Sequence, residues 1–264
     1  MSGLSMLALV PPWQADDKEK VHSVELTLRQ LLDLALPPRC PGCGTVTSLP
    51  HQFCASCWGK LRFLGPPSCA GCALPFDYDR GKDALCGSCQ QQLPIHTGVH
   101  AAVAYGEIAR RVALRLKYGN RLGHAMTMAR LMTRLMPAGT DLLIPVPLHR
   151  TRLWTRGFNQ ALLMAEAIGK LNGTKVARDA IVRTRATPSL RGLGRAQRAK
   201  AVKGVFAVSP HRRAELRGRS VVLVDDVYTT GATADACARA LLRAGAANVA
   251  IICWARVLND DAEL

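Results

Sequence analysis

Two sets of residues in this chain have types and spacings that could do chemistry. The first is Asp225-Asp226, preceded by the aliphatic run Val221-Val222-Leu223-Val224 and followed by Val227-Tyr228-Thr229-Thr230-Gly231-Ala232-Thr233. Such a run reads as a strand buried on both faces, with the two acids where it ends. A Thr/Gly turn comes next, then an Ala-rich helical run from Ala234 to Leu242. The backbone N–H groups of that turn, backed by the positive end of a helix dipole, can hold a phosphate monoester. Gly231 lets the backbone come close, and the threonine hydroxyls add donors. The acids repel phosphate, so they must face something else, most simply sugar hydroxyls and a divalent cation. The plain alternative is a buried strand ending in a solvated acidic turn.

The second set is cysteine. Eight of the ten cysteines form four Cys-x-x-Cys pairs: Cys40/Cys43, Cys54/Cys57, Cys69/Cys72 and Cys86/Cys89. This spacing turns two thiolates toward one tetrahedral ion, and two pairs complete a four-cysteine zinc site with Zn–S distances of about 2.3 Å. Sequential pairing gives one site from Cys40, Cys43, Cys54 and Cys57 and another from Cys69, Cys72, Cys86 and Cys89. Interleaved pairing also satisfies the spacing, and redox dithiols or an iron–sulfur cluster are competing uses. Four thiolates leave no open position for water or substrate, so the expected Zn2+ ions are structural. The segment holds little apolar material, so zinc should supply most of its folding energy, on the order of 10–16 kcal/mol. Chelation is then expected to unfold this part alone. The remaining Cys237 and Cys253 lie on a helix and a strand of the phosphate-binding half.

Stepping outward, alternating helices and short buried strands predict an α/β fold with a mainly parallel sheet, preceded by the small cysteine-rich module. Strands are expected at Gly98–Tyr105, Leu142–Val146, Gly173–Val176 and, closing the chain, Asn248–Ala255. Helices are expected at Ile108–Lys117, His124–Met136 and Asn159–Leu171. Residues 1–17 read as a poorly ordered tail, 18–36 as an amphipathic helix, 37–93 as the zinc module and 94–258 as the α/β domain. The acid pair falls at a strand's carboxyl end, where open sheets of this kind bind ligands. The Pro-bounded segment Val146-Pro147-Leu148-His149 ends a second buried strand, and Arg150, Arg152 and Arg156 beyond it could contact an anion.

The formal net charge is +16, which points to an anionic partner. Between Arg185 and Arg219 basic residues crowd against Glu215 alone, a segment expected to order only around an anion. No apolar run is long enough for a membrane span, and a cytoplasmic location is expected.

The strings PPRCPGCG, LKYG, IPVPLHRTRLWTRGFNQ, VVLVDDVYTTGAT and AGAANV occur here in that order. VVLVDDVYTTGAT resembles the 5-phosphoribosyl-1-diphosphate (PRPP) motif of type I phosphoribosyltransferases. The whole set resembles the ComF/GntX family, a double zinc ribbon joined to a type I phosphoribosyltransferase domain, over about residues 30–257. The resemblance implies that Asp225 and Asp226 bind the ribose hydroxyls and that Thr229, Thr230, Gly231, Ala232 and Thr233 bind the 5′-phosphate. It places the diphosphate at Val146, Pro147 and His149, with Arg198 in a flexible loop over the site and Lys117 as a further phosphate contact. Two positions depart from the family pattern. Leu190 and Ala201 stand where amides are expected in the flexible loop, and neither can hydrogen-bond as an amide does.

The implied activity is phosphoribosyl transfer from PRPP, with Mg2+, to an unidentified acceptor, releasing diphosphate. The rival readings are a PRPP or nucleotide sensor without turnover, and a protein that contacts single-stranded DNA or DNA-uptake proteins. The zinc module argues against the last, because Phe53, Trp58 and Phe63 are scattered in sequence and offer no evident base-stacking row.

Overall fold

The structure, a computed structural model, describes residues 37–119, 122–187 and 194–258. The expected tail over 1–17, the helix over 18–36 and Leu190 lie outside the described residues.

The cysteine-rich module comes first and repeats one plan. Each half has a knuckle closed by a one-pair bridge, Arg39 with Val46 and Ser68 with Pro75, then a short helix, α1 (Ala55–Gly59) or α2 (Gly87–Gln91). Cys54 and Cys86 are the helix N-caps. Glycine precedes the second cysteine of the first knuckle in each half for steric reasons. A Cβ on Gly42 would stand 2.7 Å from Cys57 Sγ, and one on Gly71 would stand 3.1 Å from Cys89 Sγ.

The α/β domain begins with β1 (Val99–Ala104), α3 (Glu107–Tyr118) and α4 (Gly123–Met132). Then come β2 (Leu142–Pro145), α5 (Arg150–Arg156), α6 (Gln160–Asn172) and β3 (Lys175–Val176). Next are β4 (Ile181–Arg183), α7 (Arg195–Val202), β5 (Phe206–Val208) and α8 (Arg213–Leu216). The chain continues through β6 (Ser220–Tyr228), α9 (Ala232–Arg243) and β7 (Asn248–Arg256). The main sheet runs β1-β7-β6-β2-β3 with every pairing parallel.

Alternation along the strands divides the core in two. Val222, Val224, Ile252 and Trp254 pack with α3, α4 and α6, whereas Val221, Leu223, Ile251 and Cys253 pack with α9 and the β4–β5 hairpin. The short helix α5 buries no residue, and Trp154 on it is 91% exposed.

Three expectations need correction. The strand carrying the acids does not end there: β6 stays paired with β7 through Tyr228, and only its β2 side stops, at Val224. The terminal strand β7, as expected at the end of the chain, lies between β1 and β6, where its apolar run is buried on both faces. The basic segment is not solvated charge throughout: in its described part β4 pairs antiparallel with β5, and Val202, Val205 and Phe206 are buried. Those three apolar residues outweigh the charges around them.

The third concerns the first zinc module, which is not independent. Phe53, Cys57 and Leu61 belong to the same core as Ile108 and Trp254, and the Phe53 ring stacks on Trp254 at 6.3 Å. Arg111 and Arg115 of α3 donate to the Gly42 and Pro41 carbonyls at 3.3 and 2.9 Å. The strand-like segment 62–64 then bonds the free edge of β1, Leu64 N–H to Ala102 O and Ala104 N–H to Arg62 O. By contrast the second half gathers only Leu74, Phe76 and Leu85 around its cysteines. Cys57→Ser is therefore expected to lower the melting temperature of the whole protein by about 10 °C or more, since a loss of about 3 kcal/mol shifts a domain this size by that much. Cys86→Ser should lower it by clearly less than Cys57→Ser does. Calorimetric scans of both variants check this; equal large shifts would show that both halves are structurally fused to the sheet.

Candidate functional site

The eight clustered cysteines sort sequentially. Cys40, Cys43, Cys54 and Cys57 bring their sulfurs within 4.8 Å of one another, and so do Cys69, Cys72, Cys86 and Cys89. Tetrahedral zinc with 2.3 Å bonds requires S···S edges of about 3.8 Å. Cys43···Cys54 is 3.6 Å and Cys72···Cys86 is 3.7 Å. Cys54 N–H and Cys86 N–H point at Cys40 and Cys69 Sγ, at 3.3 and 3.2 Å, as suits anionic sulfur. The donor sets fit two structural Zn2+ ions.

The second cluster gathers around β6. Adjacent residues of a strand face opposite ways, so the two acids are divided between the faces of the sheet. Asp226 points toward α3 and α6, where it forms an ion pair with Lys117; the side chains are 7% and 22% exposed. Gln160 reaches the same carboxylate and accepts from Arg156 Nη1 at 2.7 Å. The Arg156 guanidinium lies 5.3 Å from the Tyr118 ring centre. Burial alone would raise the Asp226 pKa, but the Lys117 ammonium outweighs it and holds the carboxyl below its usual range. The same pairing outweighs burial at Lys117 and holds its ammonium above the usual lysine value.

Asp225 lies on the α9 face and accepts from Asp226 N–H at 2.8 Å. Burial first, and the Asp226 charge second, push its carboxyl up to about 8. Unlike Asp226, it forms no ion pair among the described residues. Beyond it Thr229 and Thr230 lead to Gly231, which has φ +79° and caps α9 without any side-chain cap. The first N–H groups of α9 thus lack an intrahelical partner and carry the positive end of its dipole. Arg198 Nη1, from α7, donates to Thr229 Oγ1 at 3.0 Å.

Sequence comparison agrees with both clusters. Residues 31–90 match the double zinc ribbon domain and residues 173–262 the phosphoribosyl transferase domain. The "DNA utilization protein YhgH" of Escherichia coli O6:H1 is 30% identical over 233 residues, covering 85% of this chain and 100% of that protein. The chain belongs to the ComF family. Its similarity extends to "Competence protein F" of Haemophilus influenzae, 27% identical over 81% of this chain and 94% of that protein. "Competence protein ComFC" of Bacillus subtilis is 25% identical over 75% and 80%.

In this ComF-family chain the structure brings Asp225, Asp226, Thr229, Thr230, Gly231, Ala232, Thr233, Lys117, Arg156 and Arg198 around one strand end. The Lys117 ammonium, expected at a phosphate, is paired with Asp226 in this structure. The Val146–His149 turn flanks the same end, and several of its polar groups are engaged. Val146 N–H donates to Val224 O at 2.9 Å, Val146 O accepts from Asn159 Nδ2 at 3.1 Å, and Pro147 has no N–H. His149 caps α5, accepting from Thr151 N–H through Nδ1 at 3.3 Å. Of the departures, Ala201 lies on α7.

Reading the sequence missed Gln160, Asn159 and Tyr228. The first two stand inside the quoted RGFNQ string, where an N-cap Asn followed by Gln was the available signal. Tyr228 lies inside the acid motif itself. A Cβ on Gly231 would stand 2.7 Å from its Cζ, so ring and glycine are matched. The aromatics of the first ribbon are not scattered in space: Trp58 and Phe63 lie 4.6 Å apart, both partly exposed, and Phe53 is 6.4 Å from Trp58. The short helix α1 and the edge segment fold them together.

Proposed function

We propose that this protein binds PRPP with Mg2+ at the carboxyl end of β6 and transfers its phosphoribosyl group to an acceptor, releasing diphosphate, in the cytoplasm and in connection with DNA uptake. The observation that carries this reading is the uncapped α9 N-terminus beside Asp225, with Arg198 hydrogen-bonded to Thr229 across it. The N–H groups and threonine hydroxyls of residues 229–233 hold the 5′-phosphate, and Asp225 holds the ribose hydroxyls. Asp226, fixed by Lys117, sets the position of Asp225 through their shared backbone and adds negative potential that favours an oxocarbenium-like ribose. Mg2+, when bound with PRPP, neutralises the leaving diphosphate. Arg198 and its neighbours on α7 exclude water and add positive charge near the leaving group. A sensor without turnover is the second reading, favoured by Ala201, whose methyl offers α7 no hydrogen bond to a ligand.

Calorimetric titration with Mg2+–PRPP tests the site. Micromolar binding is expected for the parent, and at least a 100-fold loss for Asp225→Asn. Because the free protein's Asp225 must ionise, affinity should rise about tenfold per pH unit from 6.5 toward 8 and then level. A flat profile in the parent, or parent-like affinity in Asp225→Asn, would remove Asp225 from the site. Diphosphate release with a panel of amines, ammonia and nucleobases separates transferase from sensor.

A further inference from the structure

We propose that Arg256 is a positioning residue through which the second zinc ribbon sets the phosphate loop, so that zinc held by Cys69, Cys72, Cys86 and Cys89 tightens phosphate-ester binding at Gly231–Thr233. The proposal rests on the PRPP reading for its ligand, though not for the contacts that carry it.

Arg256 is the last residue of β7 and is 6% exposed. Its guanidinium turns both terminal nitrogens onto one zinc ligand. Nη1 donates to Cys72 O at 2.8 Å, and Nη2 stands 3.6 Å from Cys72 Sγ. Among the described residues it forms no ion pair with a carboxylate. A buried guanidinium needs an anionic partner, and a four-thiolate zinc site supplies one, since four thiolates and one Zn2+ sum to two negative charges.

The other side of Arg256 meets the loop. It pairs in register with Tyr228, and its guanidinium carbon lies 5.3 Å from that ring's centre. The Tyr228 ring in turn lies against Gly231, the residue whose left-handed conformation starts α9. Cys72, Arg256, Tyr228 and Gly231 therefore form a continuous line of contact from metal site to phosphate loop. A second line runs beside it. His96, buried in the segment joining the ribbon to β1, accepts from Gly98 N–H through Nδ1 at 3.2 Å and points Nε2 at Asp235 Oδ1, 3.7 Å away in the first turn of α9. Among the described residues nothing comparable joins the first zinc site to this loop; that site grips α3 instead.

With the second site loaded, Cys72 holds Arg256, Arg256 holds the Tyr228 ring, and the ring fixes Gly231 in the conformation that presents the α9 N–H groups. Emptying the site releases the knuckle that carries Cys72, and the guanidinium loses both partners. Linkage requires the reverse effect as well: ligand at the loop must tighten zinc at the second site.

The test uses the full chain and three readouts: zinc per chain, Mg2+–PRPP affinity, and amide exchange over residues 229–235 without ligand. Cys86→Ser/Cys89→Ser should retain one zinc instead of two, bind PRPP about tenfold more weakly and exchange these amides faster. Arg256→Gln should reproduce the loosened exchange with both zincs present, Arg256→Lys should fall between, and combining Arg256→Gln with the cysteine pair should add nothing further. Saturating PRPP should slow removal of the second zinc by a chelating dye several-fold in the parent but not in Arg256→Gln. Unchanged exchange over 229–235 in either Arg256→Gln or the one-zinc variant overturns the proposal. If the parent binds no PRPP, the ligand reading fails while the exchange comparison still decides the coupling. If the cysteine variant does not fold, Arg256→Gln alone decides it.

Discussion

Lys117→Met is expected to destabilise the protein by about 3–5 kcal/mol, the range for removing one partner of a buried ion pair. The pair bridges α3 and β6 with both side chains mostly out of water, so methionine leaves the Asp226 carboxylate facing the α3–α6 core without its cation. The melting temperature should fall by about 10 °C. The pH dependence fixes the cause. Asp226 has a depressed folded pKa, so its contribution is present above the unfolded value of about 3.9 and fades as pH falls through the folded one. The deficit of Lys117→Met should therefore shrink in acid, where Asp226 is protonated. Lys117 has a raised folded pKa, so its contribution persists past the unfolded value of about 10.4 and fades as pH climbs through the folded one. Lys117→Met/Asp226→Leu should recover most of the lost stability, because an apolar pair of similar volume replaces the ions. Denaturant melts at pH 8 and below about pH 3 read the acid loss and the recovery. A deficit equal at both pH values, with no recovery in the double variant, would mean that Lys117 acts through its methylene stem alone.

Gly231→Ala should separate binding from folding. The residue sits at φ +79°, where a Cβ costs about 1–2 kcal/mol, and the added methyl would stand 2.7 Å from Tyr228 Cζ. Either the ring or the loop must shift. PRPP affinity should drop by 100-fold or more, while stability falls by only about 1–3 kcal/mol. Adding Tyr228→Ala removes the collision but not the backbone strain, so about half of the lost binding free energy should return. Calorimetry on the single and double variants measures this; full affinity in Gly231→Ala would place the phosphate elsewhere.

Much of this arrangement could be read from residue order. The apolar run before Asp225 predicted β6, and the cysteine spacing predicted the metal sites, because both signals are local. What could not be read was where each local signal would be spent. The Asp225-Asp226 pair looks like one acidic clamp in sequence, but pleating sends the two carboxyls to opposite faces, and only tertiary packing brings Lys117 to one of them. Phe53 looks like a lone aromatic of the metal module until Trp254 is found stacked on it. The segment after Arg185 looks like solvated charge because Val202, Val205 and Phe206 are few, yet they suffice to anchor a hairpin once α9 offers a surface.

Phe53 and Trp254 are separated by nearly the whole described chain, and so are Cys72 and Arg256. During synthesis at about 5–20 residues per second, the ribbons wait roughly 10–40 s for the strand that completes their burial. For that interval eight thiols stand exposed beside an unfinished core. Capturing zinc early closes each knuckle before its thiols can be oxidised or mispaired, and it delivers β7 two preformed docking surfaces. Metal supply during translation, as much as metal content afterwards, then governs the yield of folded protein.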